Sequence, residues 1–343
     1  MRIMTRIKDV AEHAGVSISS VSRYLNNPEA LKGPTRTKVQ KAVEELGYSP
    51  SPIARSLRTK TTNTIAFIIP TITNLYYIDV FNILQREALA KGYALNLLAT
   101  NSDPQVLRKY LRDLPMQNID GIIIAFLDED EVIEDIHLVQ RQVPVVMITS
   151  TPHRQEFDSV FINAMEGEML ATQHLIDVGC TKIAFVGGPK NGAAAEKVLG
   201  FETAMRKNNM EIDPDLCYFE YNHFTTGFWA VRDFISKNKV PDGIVCALDD
   251  IAMGCLKYLL KNGYKVPDDV KVIGFNGIPH IHTYEPSISS LRQPIEETAK
   301  EVMRLLHNRI LHPFAAKQQI ILQTTLIVNN STDPFAPSRF SIG

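Results

Sequence analysis

The chain has 343 residues, too many for one ordinary domain, and its 45% hydrophobic and 22% charged residues exclude long disordered tracts and collagen-like repeats. No apolar run approaches the roughly 20 residues of a membrane span, and the best runs, Thr64–Pro70 and Gly121–Phe126, have the length of buried strands. The net charge of −2 conceals a split: residues 1–60 carry 11 Lys/Arg and 5 Asp/Glu, net +6, which leaves 25 basic and 33 acidic residues, net −8, for the rest.

A basic head on an acidic body points to a nucleic-acid-binding module joined to something else. The first residues, Met-Arg-Ile-Met-Thr-Arg, run into polar sequence without the apolar stretch of a secretory signal. The four cysteines (Cys180, Cys217, Cys246 and Cys255) have no metal-binding or redox spacing. Both features predict a cytoplasmic chain with reduced thiols.

In chain order, Ile7–Ala14 reads as a short helix with Ile7, Val10, Ala11 and Ala14 on one face, Thr5 as its cap and Gly15 as its stop. Ser17 caps a second helix, Ile18–Leu25, whose Val21 and Leu25 repeat the i, i+4 spacing. Two short helices around a glycine turn make the helix-turn-helix pattern. A third helix follows Gly33, with Pro34 at its first position, Val39, Ala42, Val43 and Leu46 as its stripe, and Gly47 at its end.

The second helix turns Ile18, Ser19, Ser22 and Arg23 outward. In a major groove the fork of Arg23 matches the two acceptors of guanine, and Ile18 can touch a thymine methyl. A solvated surface is the ordinary fate of a lone arginine; its place on a recognition helix favours base contact. Ser17, Ser22 and Thr35 are small hydroxyl residues that can approach phosphates. Ser49–Lys60 reads as a linker in which Ser51 can cap a segment Pro52–Leu57. Helices shorter than roughly 12 residues are marginal in water, so this one would order only against DNA or its twin from another subunit. Leu57 could then wedge between base steps in a minor groove, the plainer alternative being a flexible tether with a stray leucine.

These residues carry a resemblance. Thr5-Arg-Ile-Lys-Asp-Val-Ala-Glu-His-Ala-Gly-Val-Ser17, Val21-Ser22-Arg23, Thr35-Arg36, Val39, Leu46-Gly47-Tyr48-Ser49-Pro50 and Ala54-Arg55-Ser56-Leu57 resemble the LacI/GalR family of transcription regulators. The resemblance implies base reading by Ile18, Ser19 and Arg23, phosphate contacts by Ser17, Ser22 and Thr35, and minor-groove entry by Leu57 of a hinge helix. It also implies DNA contacts at Tyr48, Ala54 and Arg55. Lys32-Gly33-Pro34 departs from the serine cap that the family usually has there.

The body repeats short apolar runs separated by amphipathic segments: Thr64–Pro70, Ala94–Thr100, Gly121–Phe126, Val143–Thr149, Ser159–Asn163, Lys182–Gly188, Cys217–Tyr221, Gly243–Leu248, Val270–Gly277 and Gln319–Val328. Such Val/Ile/Leu runs alternating with helices predict parallel sheets covered on both faces, and so many strands predict two lobes. Ligands of such sheets sit beyond the strand C-termini, which directs attention to Pro70–Tyr77, Thr149–Thr151, Gly188–Lys197, Leu248–Asp250 and Phe275–Asn276. The resemblance continues to about Thr332, through Ile69-Pro70, Asn74, Tyr76, Gly187-Gly-Pro, Asp249 and Val272-Ile-Gly-Phe275. It implies an effector-binding core like the periplasmic sugar-binding proteins, with chain crossings near Asn163, Arg292 and Leu326.

Family members often hold sugar hydroxyls with acids and one arginine. Here Thr149, Asn163 and Asn276 stand where the family has aspartates and Lys197 where it has arginine, which suits either a changed effector, a neutral or anionic ligand such as a sugar phosphate, or control by a partner protein. Asp249 reads as a cap of the next helix and Asp250 as the better ligand contact. Asn74 and Tyr76 complete the expected effector site. His280 and His282 read as loop histidines rather than a metal pair, and Asp128–Glu131 as a solvated helix start. Gly187–Gly192 lacks the Gly-Lys-Ser/Thr ending of a phosphate loop. No Gly-x-Ser-x-Gly elbow is present either.

The reading is therefore an α/β chain with an all-α helix-turn-helix head and a two-lobed core with parallel sheets. Its expected parts are a DNA-binding domain (1–49), a hinge (50–61) and a core (62–343) with lobes 62–163 plus 293–325 and 164–292 plus 326–343. The expected function is a cytoplasmic, homodimeric repressor of carbohydrate genes that binds a near-palindromic operator and a small effector, with no cofactor, metal or catalytic residue. A solute-binding protein would explain the body alone, and an enzyme would need a catalytic constellation. Asp333–Gly343 has no heptads, which predicts a dimer rather than a tetramer.

Overall fold

The computed structural model describes residues 5–48, 61–125, 132–150, 156–188, 192–220 and 223–337. The expected DNA contacts at Ala54, Arg55 and Leu57, residues 50–60 of the expected hinge, Thr151 and the acidic run Asp128–Glu131 lie outside the described residues. The chain divides into two compact units, residues 1–62 and 63–343.

The first unit packs α1 (Ile7–Ala14), α2 (Ile18–Asn26) and α3 (Pro34–Glu45) around buried Val10, Ala11, Ala14, Val21, Val39 and Ala42. Gly15 takes the left-handed conformation (φ 63°) that ends α1, and the Ser17 hydroxyl accepts the Ser20 N–H at 3.2 Å to start α2. Thr5 does not cap α1. Arg6 occupies that place, its N–H donating to Asp9 Oδ2 at 2.7 Å, while the Thr5 hydroxyl reaches the Leu46 carbonyl at 3.4 Å.

The second unit holds two six-stranded sheets. The first, in the order β11-β5-β4-β3-β1-β2, is formed by β1 (Thr64–Ile69), β2 (Ala94–Ala99), β3 (Gly121–Ala125), β4 (Val145–Thr149), β5 (Asp158–Ile162) and β11 (Gln319–Leu322). The second, in the order β12-β10-β9-β8-β6-β7, is formed by β6 (Ile183–Gly187), β7 (Cys217–Phe219), β8 (Gly243–Cys246), β9 (Lys271–Asn276), β10 (Ser289–Arg292) and β12 (Thr325–Ile327). Strands β1, β3, β4, β6 and β8 are almost wholly buried Val, Ile and Ala because helices cover both faces. Those helices include α4 (Leu75–Ala90), α5 (Pro104–Met116) and α6 (Ile133–Gln140), then α7 (Ala164–Asp177), α8 (Gly192–Lys207), α9 (His223–Ser236) and α10 (Asp249–Lys261), and finally α11 (Ile295–Leu311). Among the described residues no helix is long and apolar enough to cross a membrane.

Three strands depart from the sequence reading. The run Gln319–Val328 divides into β11 and β12, which belong to different sheets, and β12 pairs antiparallel with β10. Ser289–Arg292 has no apolar run to announce it, yet it is a central strand whose serines are buried because they bond: Ser289 donates to the Asn329 carbonyl at 3.0 Å and Ser290 to Asp249 Oδ1 at 2.5 Å. The chain thus passes between the sheets three times, at Asn163, at Gln293–Pro294 and at Gln323–Thr324, the last just before the expected Leu326.

One buried ion pair fastens α11 to the first sheet. The Arg309 guanidinium (5% exposed) donates to both Asp158 oxygens at 2.7 and 3.2 Å and to the carbonyls of Pro313, Ala315 and Ala316. Arg309→Met leaves the Asp158 carboxylate buried without its cation, and we expect a loss of about 3–5 kcal/mol in chemical denaturation of the core. A loss below about 1 kcal/mol would show that the pair does not organise this corner.

Candidate functional site

The exposed face of α2 follows from the helical period. With Val21 facing the core, α2 exposes Ile18 (47%), Ser19 and Arg23 on its other side. The other cations of the three helices are partly consumed: Lys8 pairs with Glu12, Arg36 with Glu29 and Lys41 with Glu45. Arg23 enters no ion pair among the described residues. The Ser17 hydroxyl, besides capping α2, lies 2.7 Å from the Ser19 hydroxyl and 2.9 Å from that of Ser20. Ser22 and Thr35 are half-buried, and the Tyr48 ring packs against the head's own core.

The core contains a cavity of about 560 Å³ where strand ends of the two sheets meet. Of the residues expected at an effector site, the structure brings Asn74, Tyr76, Lys197 and Asn276 to its wall. Asn74 starts α4, its Oδ1 accepting the Tyr76 N–H at 3.0 Å, and burial pushes the Tyr76 phenol far above its ordinary pKa. Thr149 is buried in β4 and the wall position falls to Ser150, one residue on. Asn163 is a helix cap: it accepts the Glu166 N–H at 3.1 Å and donates to Glu166 Oε2 at 2.6 Å. Asp250 is not part of the wall, and burial raises its pKa against the pull of His223 and His280.

Asp249 is not a helix cap; Leu248 occupies that position. The fully buried Asp249 carboxylate accepts the Ile278 N–H at 2.9 Å and the Ser290 hydroxyl at 2.5 Å, and Ser290 in turn accepts the Gly277 N–H at 3.1 Å. It thereby fixes the turn that follows β9. Burial raises its pKa to about 6 although these hydrogen bonds oppose the shift.

Lys197 is the cation of the wall among the described residues. Its Nζ lies 3.6 Å above the Phe275 ring centroid and donates to the Ala247 carbonyl. Burial lowers its pKa to about 8, against the attraction of Glu168 and Asp249. Glu168, 1% exposed on α7, has no hydrogen-bond partner at either oxygen, and burial pushes it up to about 8 while Lys197 pulls it down.

Sequence reasoning missed Glu168, His223 and Gln293, and reached Ser150 only within the stretch Thr149–Thr151. The Ser150 hydroxyl, His223 Nδ1 and Gln293 Oε1 are all buried and lack a protein partner, and all three residues line the cavity. Buried polar atoms without partners are costly, so such a cluster marks a place where a ligand or ordered water completes the bonding. Among the described residues no group of three His, Cys, Asp or Glu is placed to hold a metal.

A helix-turn-helix head joined to a two-lobed core with a cavity between its sheets defines a DNA-binding regulator of the periplasmic-binding-protein type. Residues 6–51 match the model of bacterial regulatory proteins of the LacI family, and residues 62–328 that of periplasmic binding proteins and the sugar-binding domain of the LacI family. The chain belongs to the LacI family of DNA-binding transcriptional regulators. It is 34% identical over 333 residues to the HTH-type transcriptional regulator RegA of Clostridium saccharobutylicum, covering 96% of this chain and 99% of the relative. It is 32% identical over 329 residues to the HTH-type transcriptional repressor PurR of Vibrio campbellii, covering 96% and 98%. Among solved structures, a regulator CelR–cellobiose complex matches with a TM-score of 0.72 at 26% identity, over 95% of this chain and 99% of that one. The lac repressor dimer bound to operator and the anti-inducer ONPF shares the fold with a TM-score of 0.85 at 22% identity, over 96% and 99%.

The Glu168 shift gives a signed expectation. A carboxyl whose pKa rises from 4.5 to about 8 on folding contributes most below pH 4.5, and that contribution falls away as pH climbs towards 8. Glu168→Gln removes this dependence, so the stability of the variant relative to the parent should rise by about 1 kcal/mol or more between pH 5 and 8. A difference that stays flat across that range contradicts the buried, unbonded carboxyl.

Proposed function

We propose that the chain is a homodimeric repressor whose operator affinity is set by a small ligand held in the interlobe cavity, and that the ligand is an uncharged carbohydrate. The observation that carries the ligand reading is the set of buried, partnerless polar atoms on the cavity wall. Control by a partner protein would not call for them. Asp103 and Glu220 line the cavity, against Lys197 as the one Lys or Arg of its wall among the described residues, and burial lowers the pKa of that lysine to about 8. That balance favours a neutral sugar over a sugar phosphate. The CelR structure was determined as a cellobiose complex, which fits the same ligand class.

On the DNA side, Ile18, Ser19 and Arg23 read base edges, Ser17, Ser22 and Thr35 hold phosphates, Leu57 enters the minor groove, and Tyr48, Ala54 and Arg55 add further DNA contacts. Two heads reach two half-sites of a near-palindromic operator, and regulated genes serve carbohydrate uptake or metabolism.

The test is selection of genomic fragments by the purified protein, followed by binding of the selected operator by Arg23→Ala. Loss of a guanine fork costs about 1–3 kcal/mol, so operator affinity should fall about tenfold or more while affinity for unrelated duplex falls less than about twofold. Equal losses on both duplexes would remove Arg23 from base reading.

A further inference from the structure

Two glycine contacts bring a buried acid and a buried base together beside the cavity. Gly200 of α8 lies directly on α7: a Cβ there would overlap the Met165 carbonyl and stand 2.9 Å from Glu168 Cβ. Lys197 is three residues before Gly200, on the same face of α8, and so faces Glu168 across the contact. On α7, a Cβ on Gly167 would stand 2.6 Å from Thr324 Oγ1 and 3.1 Å from Phe275 Cε2. The turn that carries Glu168 is thus set against the ring that carries the Lys197 ammonium. It is also set against Thr324, on the third crossing between the sheets.

The two groups are bonded unequally. Lys197 Nζ has the Ala247 carbonyl and the face of Phe275. Glu168, 1% exposed, has no protein partner at either oxygen. A carboxylic acid tolerates such a place far better than a carboxylate, which needs a donor or a cation there. The flexible stem of Lys197 is able to bring one. The proton on Glu168 and the place of the Lys197 ammonium are therefore linked.

We propose that Glu168 is a positioning residue that sets, through its own proton, where the Lys197 ammonium sits. With the proton on, the ammonium stays at the wall over Phe275. With the proton off, the carboxylate draws the ammonium from Phe275 and Ala247 into an ion pair. The proton goes to solvent and Lys197 keeps its own, so the pair passes from a net charge of +1 to zero. The wall then loses its one Lys or Arg among the described residues. Because Gly167 abuts Thr324, the rearrangement takes place against a link that any change of lobe angle must displace.

The surroundings leave this pair as the group that changes near pH 8. Burial raises Glu168 to about 8 and lowers Lys197 to about 8, each against the pull of the other. Asp249 of α10, which also attracts Lys197, has a pKa of about 6 and has ionised before that range. The Cys246 thiol of β8, which feels both acids, keeps its proton because burial and its bond to Cys255 raise it well above its ordinary value. Protonated Glu168 therefore prevails below about pH 8, and the ion pair above it.

The inference deepens the reading of the cavity as the effector site, yet its test needs no ligand. Infrared titration of the full-length protein between about pH 6.5 and about pH 9.5 follows the C=O stretch of protonated carboxyls. The parent should lose one such band with a midpoint near 8, and Glu168→Gln should lack it. Lys197→Met leaves the acid without its cation, so the midpoint should rise by about one pH unit or more. Crystal structures at the two ends of that range locate the ammonium. Nζ should lie over Phe275 at the lower pH and within about 3.5 Å of a Glu168 oxygen at the higher, whereas Glu168→Gln should keep it over the ring at both. A Glu168 that served packing alone would leave Nζ in one place. No band lost in the range, a midpoint unmoved by Lys197→Met, or an ammonium that stays over Phe275 at the higher pH overturns the proposal. Operator affinity measured with a saccharide panel separates the two readings. If the ammonium moves as expected and no saccharide alters operator affinity, the positioning role stands and effector control falls. If a saccharide alters operator affinity and the ammonium never moves, effector control stands and the positioning role falls.

Discussion

Burying a carboxylate in an apolar interior is unfavourable unless it is fully bonded, and Asp249 meets that condition by accepting from the turn after β9 and from Ser290 on the neighbouring strand. Much of the cavity wall depends on this. The carboxylate holds Gly277 and Ile278, the turn holds Asn276 in its left-handed conformation, and Asn276 meets Gln293 where the chain leaves the second sheet. Lys197 reaches the same wall from α8 and settles over Phe275, the residue before Asn276. A buried charge that served only stability could be replaced by apolar packing of similar volume; this one sets the geometry of a site.

The three crossings give that geometry its consequence. Each sheet is built from segments that are discontinuous in sequence, and the links at Asn163, Gln293–Pro294 and Gln323–Thr324 are the routes by which one lobe can move relative to the other. A ligand that bonds polar atoms from both lobes, Ser150 on one side and Asn276 on the other, prefers one arrangement of them. Such a preference need supply only about 1–3 kcal/mol to regulate.

The head was legible in the sequence almost residue by residue, because short helices announce themselves through caps, glycine stops and i, i+4 spacing. Thr5 failed as a cap since Asp9 satisfies the Arg6 N–H from inside the helix. The strands of the core were equally plain wherever both faces are buried and the run is apolar. Ser289–Arg292 was not, because its burial is satisfied by hydroxyl bonds that need the folded partners to exist. The site was harder for the same reason. Thr149 and Ser150 differ by one residue, and alternation along an extended chain sends neighbours to opposite sides. Asn163 spends its side chain on a local cap. Gln293 follows an unrecognised strand and precedes a proline, so nothing local marked it; only the fold brings it to Asn276.

The basic head and acidic core also divide the electrostatic work. Phosphates attract the +6 head and repel the −8 remainder, which restricts contact to the reading end. The central claim, that one ligand in the core and one operator at the head are thermodynamically coupled, is tested most directly by reciprocity. Operator affinity is measured with and without saturating ligand, and ligand affinity with and without operator, in the same buffer. The account predicts that both change by the same factor, about fivefold or more. A ligand that occupies the cavity while operator affinity stays unchanged contradicts it.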